Sequence, residues 1–258
     1  MNKITTISAP LIILLFLFAS CKKNLIIPED AQLVAAVGNN QIVEHKAYSL
    51  SYNEVHEQAD WVAYELTYDE VINTDIERTD DFRPDAAVST GSAELSDYEP
   101  TNSTYARGHL APAADFRWDQ TAMSESFFMS NISPMLHEFN EGKWLWLEAE
   151  VRNWAEIYKG VYVVTGPVLS DGLPTIGTNE ISIPEMYYKV ILNLEEEKGI
   201  GFLMPHEDIE DTFKNYAVSI DRVEEETGLD FFPSLEDKIE EKIESTLNMS
   251  KWDFKYYK

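Results

Sequence analysis

Short apolar runs alternate with turn residues along most of the chain, and two of these runs have the character of buried strands. Residues 161–165 are rich in valine and are closed by Gly166 and Pro167, which predicts a strand followed by a turn. Residues 187–192 predict a second strand. No internal repeat is visible, and the length favours one large domain, or at most two.

The segment after Phe139 predicts a helix, because apolar side chains recur along one of its faces. This stripe consists of Trp144, Leu147, Val151, Trp154 or Ala155, and Tyr158. We expect the tryptophans at 144, 146 and 154 to pack in the core. Glu148 lies beside the stripe, so its carboxylate is expected to be partly desolvated and to pair with Arg152 on the same face.

A further helix is predicted near the C terminus. Ser234 is a suitable N-cap residue, and Asp237 occupies the capping-box position. Apolar residues then recur every four positions, at Leu235, Ile239, Ile243 and Leu247.

The N terminus has the pattern of an export signal, predicted to span residues 1–20. Lys3 precedes an apolar run over residues 10–19, which is shorter than the ~20 residues that a membrane-spanning helix needs. The residues before Cys21 resemble a bacterial lipobox, although Phe18 stands where an aliphatic residue is usual. We therefore predict an exported lipoprotein of the bacterial cell envelope (periplasm or outer membrane).

In this prediction Cys21 is lipidated and anchors the chain to the membrane, and residues 21–46 form a tether with an edge element. The alternative is an ordinary cleaved signal peptide followed by a chance cysteine.

The composition is strongly acidic, with 46 Asp and Glu against 20 Lys and Arg and a formal charge of −26. Apolar residues make up 44%, which excludes disorder over the whole length. The single cysteine excludes an intramolecular disulfide and a cysteine-based zinc cluster. At long range such a charge repels nucleic acid and anionic lipid.

The negative charge is unevenly distributed. Residues 195–244 hold 17 acidic and 5 basic residues, whereas residues 101–160 hold 8 and 5. We interpret the acidic stretch as a solvated outer face, so that the repulsion is concentrated away from the middle of the chain.

The candidate chemistry lies in that middle part, in four blocks. They are Arg107-Gly-His-Leu-Ala-Pro112 with Asp115, Ser130-Asn-Ile-Ser-Pro134, Phe139-Asn-x-Gly-x-Trp144 with Leu147 and Glu148, and Val163-Val-Thr-Gly-Pro167. Taken alone, His109 would more often be a structural histidine. Asn140 offers a neutral oxygen that suits Mg²⁺, but asparagine is also a frequent helix cap.

Together, in this order and spacing, the blocks resemble the DNA/RNA non-specific endonuclease family of the ββα-metal (His-Me finger) superfamily. The resemblance runs from about Tyr48 to Pro233. It implies an α+β fold, with a twisted antiparallel β-sheet, packed helices and a ββα-metal element that carries the active site. Residues 47–258 are predicted to form the endonuclease domain.

The resemblance also implies a role for each matching residue. His109 matches the general base that takes a proton from the attacking water, which suits imidazole because its ordinary pKa is about 6.5. Asn140 matches the sole direct protein ligand of a Mg²⁺ ion, for which Mn²⁺ can substitute. Glu148 is similar to the carboxylate that holds a water of the metal.

Three arginines complete the predicted site. Arg107 is the arginine of the motif, Arg152 matches an arginine near the site, and Arg78 resembles an upstream arginine that clamps phosphate. The family implies DNA and RNA as substrates and 5′-phosphate products. Of the basic residues, Arg78, Arg107, Arg117, Lys143 and Arg152 are expected to attract phosphate locally, in binding that is weak and sensitive to salt.

Two residues depart from the family pattern. Ala106 stands where Asp is usual, and Met135 stands where Gln is usual. The loss of the Asp could be offset by a nearby carboxylate such as Asp115.

We predict a metal-dependent, sugar-non-specific endonuclease. One alternative is a binding or interaction lipoprotein that keeps the fold but lacks turnover, and a second is a phosphodiesterase for small substrates. The pair of Glu148 and Arg152 could also be only a helix ion pair. No protein partner can be inferred.

Overall fold

The computed structural model describes residues 33–36 and 38–256. The predicted signal peptide and the predicted lipidation site at Cys21 lie outside these residues. Among the described residues, no helix has the length and apolar character needed to cross a membrane.

A seven-stranded antiparallel sheet forms the centre of the fold. Its strands, in spatial order, are β1 (Gln41–Glu44), β2 (Ser49–Asn53), β3 (Gln58–Thr67), β6 (Gly160–Pro167), β9 (Met186–Asn193), β10 (Lys198–Pro205) and β11 (Ala217–Val218). Two short antiparallel ribbons stand apart from it: β4 (Tyr105–His109) with β5 (Ile132–Leu136), and β7 (Thr175–Ile176) with β8 (Ile181–Ser182). The predicted strands at 161–165 and 187–192 are confirmed as parts of β6 and β9.

The described part of the chain also forms helices, some of which pack on this sheet. They are α1 (Tyr68–Ile72), α2 (Leu95–Tyr98), α3 (Gln120–Glu125), α4 (His137–Phe139), α5 (Leu145–Tyr158), α6 (Ile220–Thr227) and α7 (Asp237–Glu244). A π-helical turn spans Asn140–Trp144, and 3₁₀ turns span Glu99–Thr101, Ala113–Phe116, Met129–Asn131, Phe213–Tyr216 and Met249–Lys251.

The two faces of the sheet carry different helices, because side chains alternate along each strand. On β10, Phe202 lies on the face covered by α5 and stacks near Trp154, at 6.2 Å between ring centroids. Gly199 and Gly201 face α6 and α7 on the other side. A Cβ atom at Gly201 would lie 2.6 Å from the Val223 side chain, so the glycine permits α6 to pack closely. The acidic helices therefore lie on the face opposite α5.

The edge of the sheet includes part of the predicted tether. β1 pairs with β2 along its length, and Val34 forms an isolated bridge with Phe231. Residues 41–44 thus supply an edge strand of the sheet, which agrees with the edge element predicted within residues 21–46.

The C-terminal helix is shorter than its apolar periodicity predicts. α7 begins at Asp237, and Ser234 is exposed in a turn in which the Leu235 N–H donates to the Phe232 carbonyl at 2.9 Å. The residue before the first helical position is Glu236, whose backbone is extended (φ −66°, ψ 128°). The N-cap prediction for Ser234 is therefore wrong. Leu235 is buried, but it lies in the turn before the helix.

Candidate active site

The β4–β5 ribbon carries His109 at its end. His109 is paired with Ile132, and Gly108 with Ser133. The Met135 side chain fills the space beside Gly108, where a Cβ atom would lie 2.3 Å from the Met135 sulfur. Glycine is therefore required for this close packing next to His109.

The backbone that follows His109 is held by Asn131. The Ala111 N–H donates to Asn131 Oδ1 at 2.9 Å, and Asn131 Nδ2 donates to the Ala111 carbonyl at 2.9 Å. The same Nδ2 donates to the Ser126 carbonyl at 2.8 Å. These bonds give the block Ser130-Asn-Ile-Ser-Pro134 a structural purpose that sequence reasoning missed.

His109 is 8% exposed and packs between two aromatic rings. The ring centroids of Phe82 and Phe127 lie 5.5 and 4.8 Å from that of the imidazole. Nε2 is buried and has no hydrogen-bond partner in the part of the chain that the structure describes. Burial, followed by the charges of Arg78 and Arg107, lowers the pKa of His109 to about 3. The imidazole is thus neutral at pH 7, the form that can accept a proton.

Asn140 begins a wide turn between α4 and α5. Phe139 anchors this turn by stacking on Trp144 and Tyr187, at 5.4 and 5.3 Å between ring centroids. Gly142, with φ −93° and ψ −126°, interrupts the helical backbone. The single helix predicted after Phe139 is therefore divided, and α5 begins only at Leu145.

Glu148 lies in the first turn of α5 and is 8% exposed. Burial raises its pKa to about 7, against the opposing charges of Lys189 and Arg152. Within residues 33–36 and 38–256, neither the Glu148 carboxylate nor the Asn140 side-chain amide has a hydrogen-bond partner. Both groups thus keep oxygen atoms available for a ligand.

Arg152 does not form the expected ion pair with Glu148. Its Nη1 donates to Asp115 Oδ1 at 2.8 Å, and the Tyr64 hydroxyl donates to Asp115 Oδ2 at 2.8 Å. Asp115 is 2% exposed and needs these two donors, so Arg152 affects Glu148 through charge only. Asp115 is also the carboxylate suggested to offset the missing Asp at position 106, and both of its oxygens accept from Arg152 and Tyr64.

Sequence reasoning did not identify Lys189 as a residue near the site. It is fully buried on β9, where Nζ donates to Thr165 Oγ1 at 2.9 Å and lies 4.5 Å from the centre of the Trp144 ring. Burial lowers its pKa to about 8, against the nearby charge of Glu148. The sequence did contain an indication, because a lysine inside an apolar strand needs a polar or charged partner when it is buried.

A cleft of about 180 Å³ brings most of the predicted residues together. Its lining includes His109, Asn140, Glu148, Arg78 and Arg107. Arg152 does not line it. A larger cleft of about 500 Å³ also borders Arg78 and Arg107 and extends past Ala106.

The two arginines of the cleft stack on the rings that enclose His109. The Arg107 guanidinium lies 4.2 Å from the centre of Phe82, and that of Arg78 lies 4.7 Å from the centre of Phe127. Arg78 Nε also donates to Asp80 at 2.6 Å. The predicted phosphate attractors Arg117 and Lys143 are elsewhere: they line neither cleft.

The two departures from the family pattern meet in the structure. Ala106 and Met135 are paired across β4 and β5. Met135 is fully buried in the core, so apolar packing takes the place of the glutamine that is usual at this position. Ala106 lines the larger cleft.

The other histidines and the tryptophans lie outside the smaller cleft. His137 is 40% exposed and bonds the Asn102 carbonyl at 2.9 Å. Trp144 and Trp154 are buried as expected, but Trp146 is 37% exposed, so its assignment to the core is wrong.

The fold combines an antiparallel sheet with packed helices, and a two-stranded ribbon places a histidine in the same cleft as an asparagine at a helix start. These features define an α+β protein of the ββα-metal class. Residues 31–238 match the DNA/RNA non-specific endonuclease family, and the chain belongs to this family.

Known relatives are similar over most of the chain. The zebrafish (Danio rerio) mitochondrial nuclease EXOG is 35% identical over 72% of this chain, which spans 59% of that protein. Human mitochondrial endonuclease G is 31% identical over 77% of this chain and 71% of its own length. A nuclease of Nostoc sp. is 29% identical over 86% of this chain and 84% of its own.

A solved structure supports the same fold. A chain in the crystal structure of the EndoG/EndoGI complex superposes with a TM-score of 0.71 and 31% identity, over 78% of this chain and 89% of that one.

Proposed function

We propose that the chain is a metal-dependent, sugar-non-specific endonuclease that hydrolyses phosphodiester bonds of DNA and RNA to 5′-phosphate ends. The observation that carries this proposal is the convergence of His109, Asn140 and Glu148 on one cleft that two arginines border. These residues come from separate elements, so their meeting depends on the fold.

His109 is assigned the role of general base. Its low pKa keeps the imidazole unprotonated, and the flanking rings of Phe82 and Phe127 limit its rotation. A base in this position accepts a proton from the water that attacks phosphorus, which contributes ~10²–10⁴-fold to the rate.

Asn140 and Glu148 fit a hydrated divalent cation. An amide oxygen and a carboxylate are hard donors, and both lack a hydrogen-bond partner among the described residues. We assign Asn140 as the protein ligand and Glu148 as the carboxylate that orients a hydrating water, with Mg²⁺ as the ion and Mn²⁺ as a substitute. When bound, the cation supplies stabilisation of negative charge on the phosphate.

Arg78 and Arg107 are assigned to the substrate phosphate. Both are positioned by stacking on aromatic rings, which leaves guanidinium N–H groups to bind phosphate oxygens. Contacts of this kind do not depend on the base sequence. Arg152, which donates to Asp115, would act on Glu148 through its charge.

The negative charge of the protein is compatible with this role. The acidic helices α6 and α7 lie on the sheet face opposite α5, and the arginines lie at the cleft. Few phosphates are then neutralised, so binding is expected to be weak, and added salt weakens it further by a factor that grows with the number of phosphates contacted.

The N-terminal pattern supports a location as well. We propose that the chain is exported and anchored through a lipidated Cys21 in the bacterial cell envelope, where it degrades periplasmic or extracellular nucleic acid. Mass spectrometry of the purified protein tests this: lack of an acyl group on Cys21 would contradict it.

The nuclease proposal is tested by incubating the purified protein with plasmid DNA and with RNA at low salt. Mg²⁺, Mn²⁺ and EDTA are compared, with His109→Ala as the inactive variant and His56→Ala as the matched control, since His56 is buried to a similar degree and lines neither cleft. We expect degradation of both substrates that requires metal, and products that a 5′-phosphate-dependent exonuclease can digest.

Two other results would redirect the assignment. No cleavage by the folded protein under any metal would favour the binding lipoprotein, to which the departure at Ala106 points. Cleavage of a small phosphodiester but not of either polymer would favour the small-substrate phosphodiesterase.

A further inference from the structure

Three carboxylates from α6 and α7 meet on the sheet face opposite the cleft. One oxygen from each of Asp221, Glu224 and Glu244 lies within 4.8 Å of the others. Asp221 and Glu224 are on the same side of α6, three residues apart, and Glu244 is the last residue of α7. The cluster thus bridges the two helices.

Glu244 is the unusual member of this cluster. It is 5% exposed, and its Oε1 is buried without a hydrogen-bond partner in the described part of the chain. It also lies at the C-terminal end of a helix, where the helix dipole disfavours a negative charge. A buried carboxylate in this setting is costly unless a cation or a proton compensates it.

The basic residues nearby are engaged elsewhere. Arg222 points to Glu225 and Glu226, at 3.7 and 2.5 Å, and Lys242 pairs with Glu197. Glu224 Oε1 accepts the Phe231 N–H at 2.8 Å, which fixes one side of its carboxylate. Within the described residues no ion pair joins a basic side chain to Asp221, Glu224 or Glu244.

Further negative charge surrounds the cluster. Burial, followed by the charges of Glu224, Glu240, Asp221 and Asp230, raises the pKa of Glu244 to about 9. Burial also raises the pKa of Glu224, with Asp230, Asp221 and Glu240 adding to the effect. One bound positive ion would reduce the electrostatic repulsion among these carboxylates.

The geometry points to a second cation site, formed by Asp221, Glu224 and Glu244, that binds a divalent ion of the Ca²⁺ type and joins α6 to α7. Oxygen ligands up to 4.8 Å apart can surround one ion with bonds of ~2.3–2.6 Å, as Ca²⁺ prefers. Carboxylates on two helices leave room for water ligands as well. The role is structural: the ion holds α6 and α7 against the glycines of β10.

The test measures Ca²⁺ binding without using cleavage, so it is independent of the proposed nuclease. The protein carries Asn140→Ala to remove the ligand assigned in the cleft, and equilibrium dialysis at ~0.15 M NaCl counts the bound Ca²⁺. We expect one ion per chain and a midpoint of thermal unfolding that is roughly 5–10 °C higher at a Ca²⁺ concentration 100 times the dissociation constant.

Adding Glu244→Gln is expected to abolish both effects and, in EDTA, to raise the midpoint, because Glu244 must take up a proton when it is buried at neutral pH and glutamine need not. Asp221→Asn serves as the second variant of the cluster. Glu225→Gln is the matched control, since it removes the same charge from an exposed position of α6 and should leave Ca²⁺ binding unchanged.

Three outcomes would overturn the site. They are no bound Ca²⁺ in the Asn140→Ala protein, equal Ca²⁺ binding with and without Glu244→Gln, and a rise in the unfolding midpoint that NaCl of the same ionic strength reproduces. In each case Glu244 would simply be protonated in the folded protein.

Discussion

Arg152 donates to Asp115 at 2.8 Å and reaches Glu148 only through its charge. The choice of partner follows from burial, since Asp115 is almost completely enclosed while Glu148 borders the cleft. Together with the Tyr64 hydroxyl, Arg152 satisfies both oxygens of Asp115. Glu148 is thereby left with oxygens that no described side chain occupies.

Replacement of Asp115 tests this arrangement. Asp115→Asn leaves Arg152 partly buried without its counterion, and we expect a loss of about 3 kcal/mol in the free energy of unfolding. Urea unfolding at pH 7 measures the change. Glu226→Gln, which breaks the exposed pair with Arg222, is the matched control and should cost less than about 1 kcal/mol. Similar losses for both variants would contradict the structural role of Asp115.

Lys189 is expected to set the ionisation of Glu148. Its positive charge opposes the effect of burial on the pKa of Glu148, so Lys189→Met should raise that pKa above about 7. If the ionised carboxylate is needed, kcat/KM at pH 7 falls about tenfold for each unit of the rise and recovers as the pH is raised. The pH dependence of kcat/KM in the two proteins measures this shift.

Lys198→Met is the matched control for Lys189→Met. Lys198 is also buried, but it bonds Glu196 and the Lys251 carbonyl away from the cleft. It should lower stability without moving the pH profile. An unchanged pH profile in Lys189→Met would show that Lys189 does not influence the ionisation of Glu148.

The sequence revealed the residues of the cleft better than the bonds between them. The motif blocks identified His109, Asn140 and Glu148, which do meet. Helical spacing suggested that Arg152 pairs with Glu148, but spacing along one helix cannot show that Asp115 arrives from a distant segment. Lys189 was overlooked because its neighbours in the strand are apolar, and its partner Thr165 lies on another strand.

Regular elements were predicted well where the apolar pattern alone decides them. The strands around residues 163 and 190 and the buried stripe of α5 are examples. The turn at Gly142 depends on the packing of Phe139, and α7 starts late because the backbone is still extended at Glu236; no periodicity reports either feature.

Gly108 and Met135 should show coupled effects. Gly108→Ala places a Cβ atom 2.3 Å from the Met135 sulfur, so we expect a loss of about 1–3 kcal/mol and displacement of His109 with reduced activity. Met135→Ala alone should cost about 2–5 kcal/mol through the cavity it creates. The double variant should lose less than the sum, because the added methyl group then enters that cavity. A double-mutant cycle of urea unfolding checks this, and strict additivity would contradict the contact.

His206 should make stability depend on pH. Its neutral ring donates from Nδ1 to the Pro184 carbonyl at 2.7 Å and accepts the Leu136 N–H at Nε2, also at 2.7 Å. Burial lowers the pKa of His206 below 6.5, so the unfolded chain takes up a proton more readily than the folded protein. Stability from this group is therefore complete above pH 6.5 and is lost as the pH falls below it.

His206→Gln, which stays neutral, should accordingly lose less stability than the native protein between pH 7.5 and pH 5. Urea unfolding at the two pH values measures the difference, and His56 and His109 contribute in the same direction in both proteins because burial lowers their pKa values too. His137→Gln is the matched control, since its side chain is 40% exposed and it should keep the native pH dependence. Leu136 directly precedes α4, and Asn140 follows α4. Protonation of His206 should therefore also loosen the segment that positions Asn140 in the cleft. An equal pH dependence in His206→Gln and the native protein would show that the Leu136 N–H bond does not control this response.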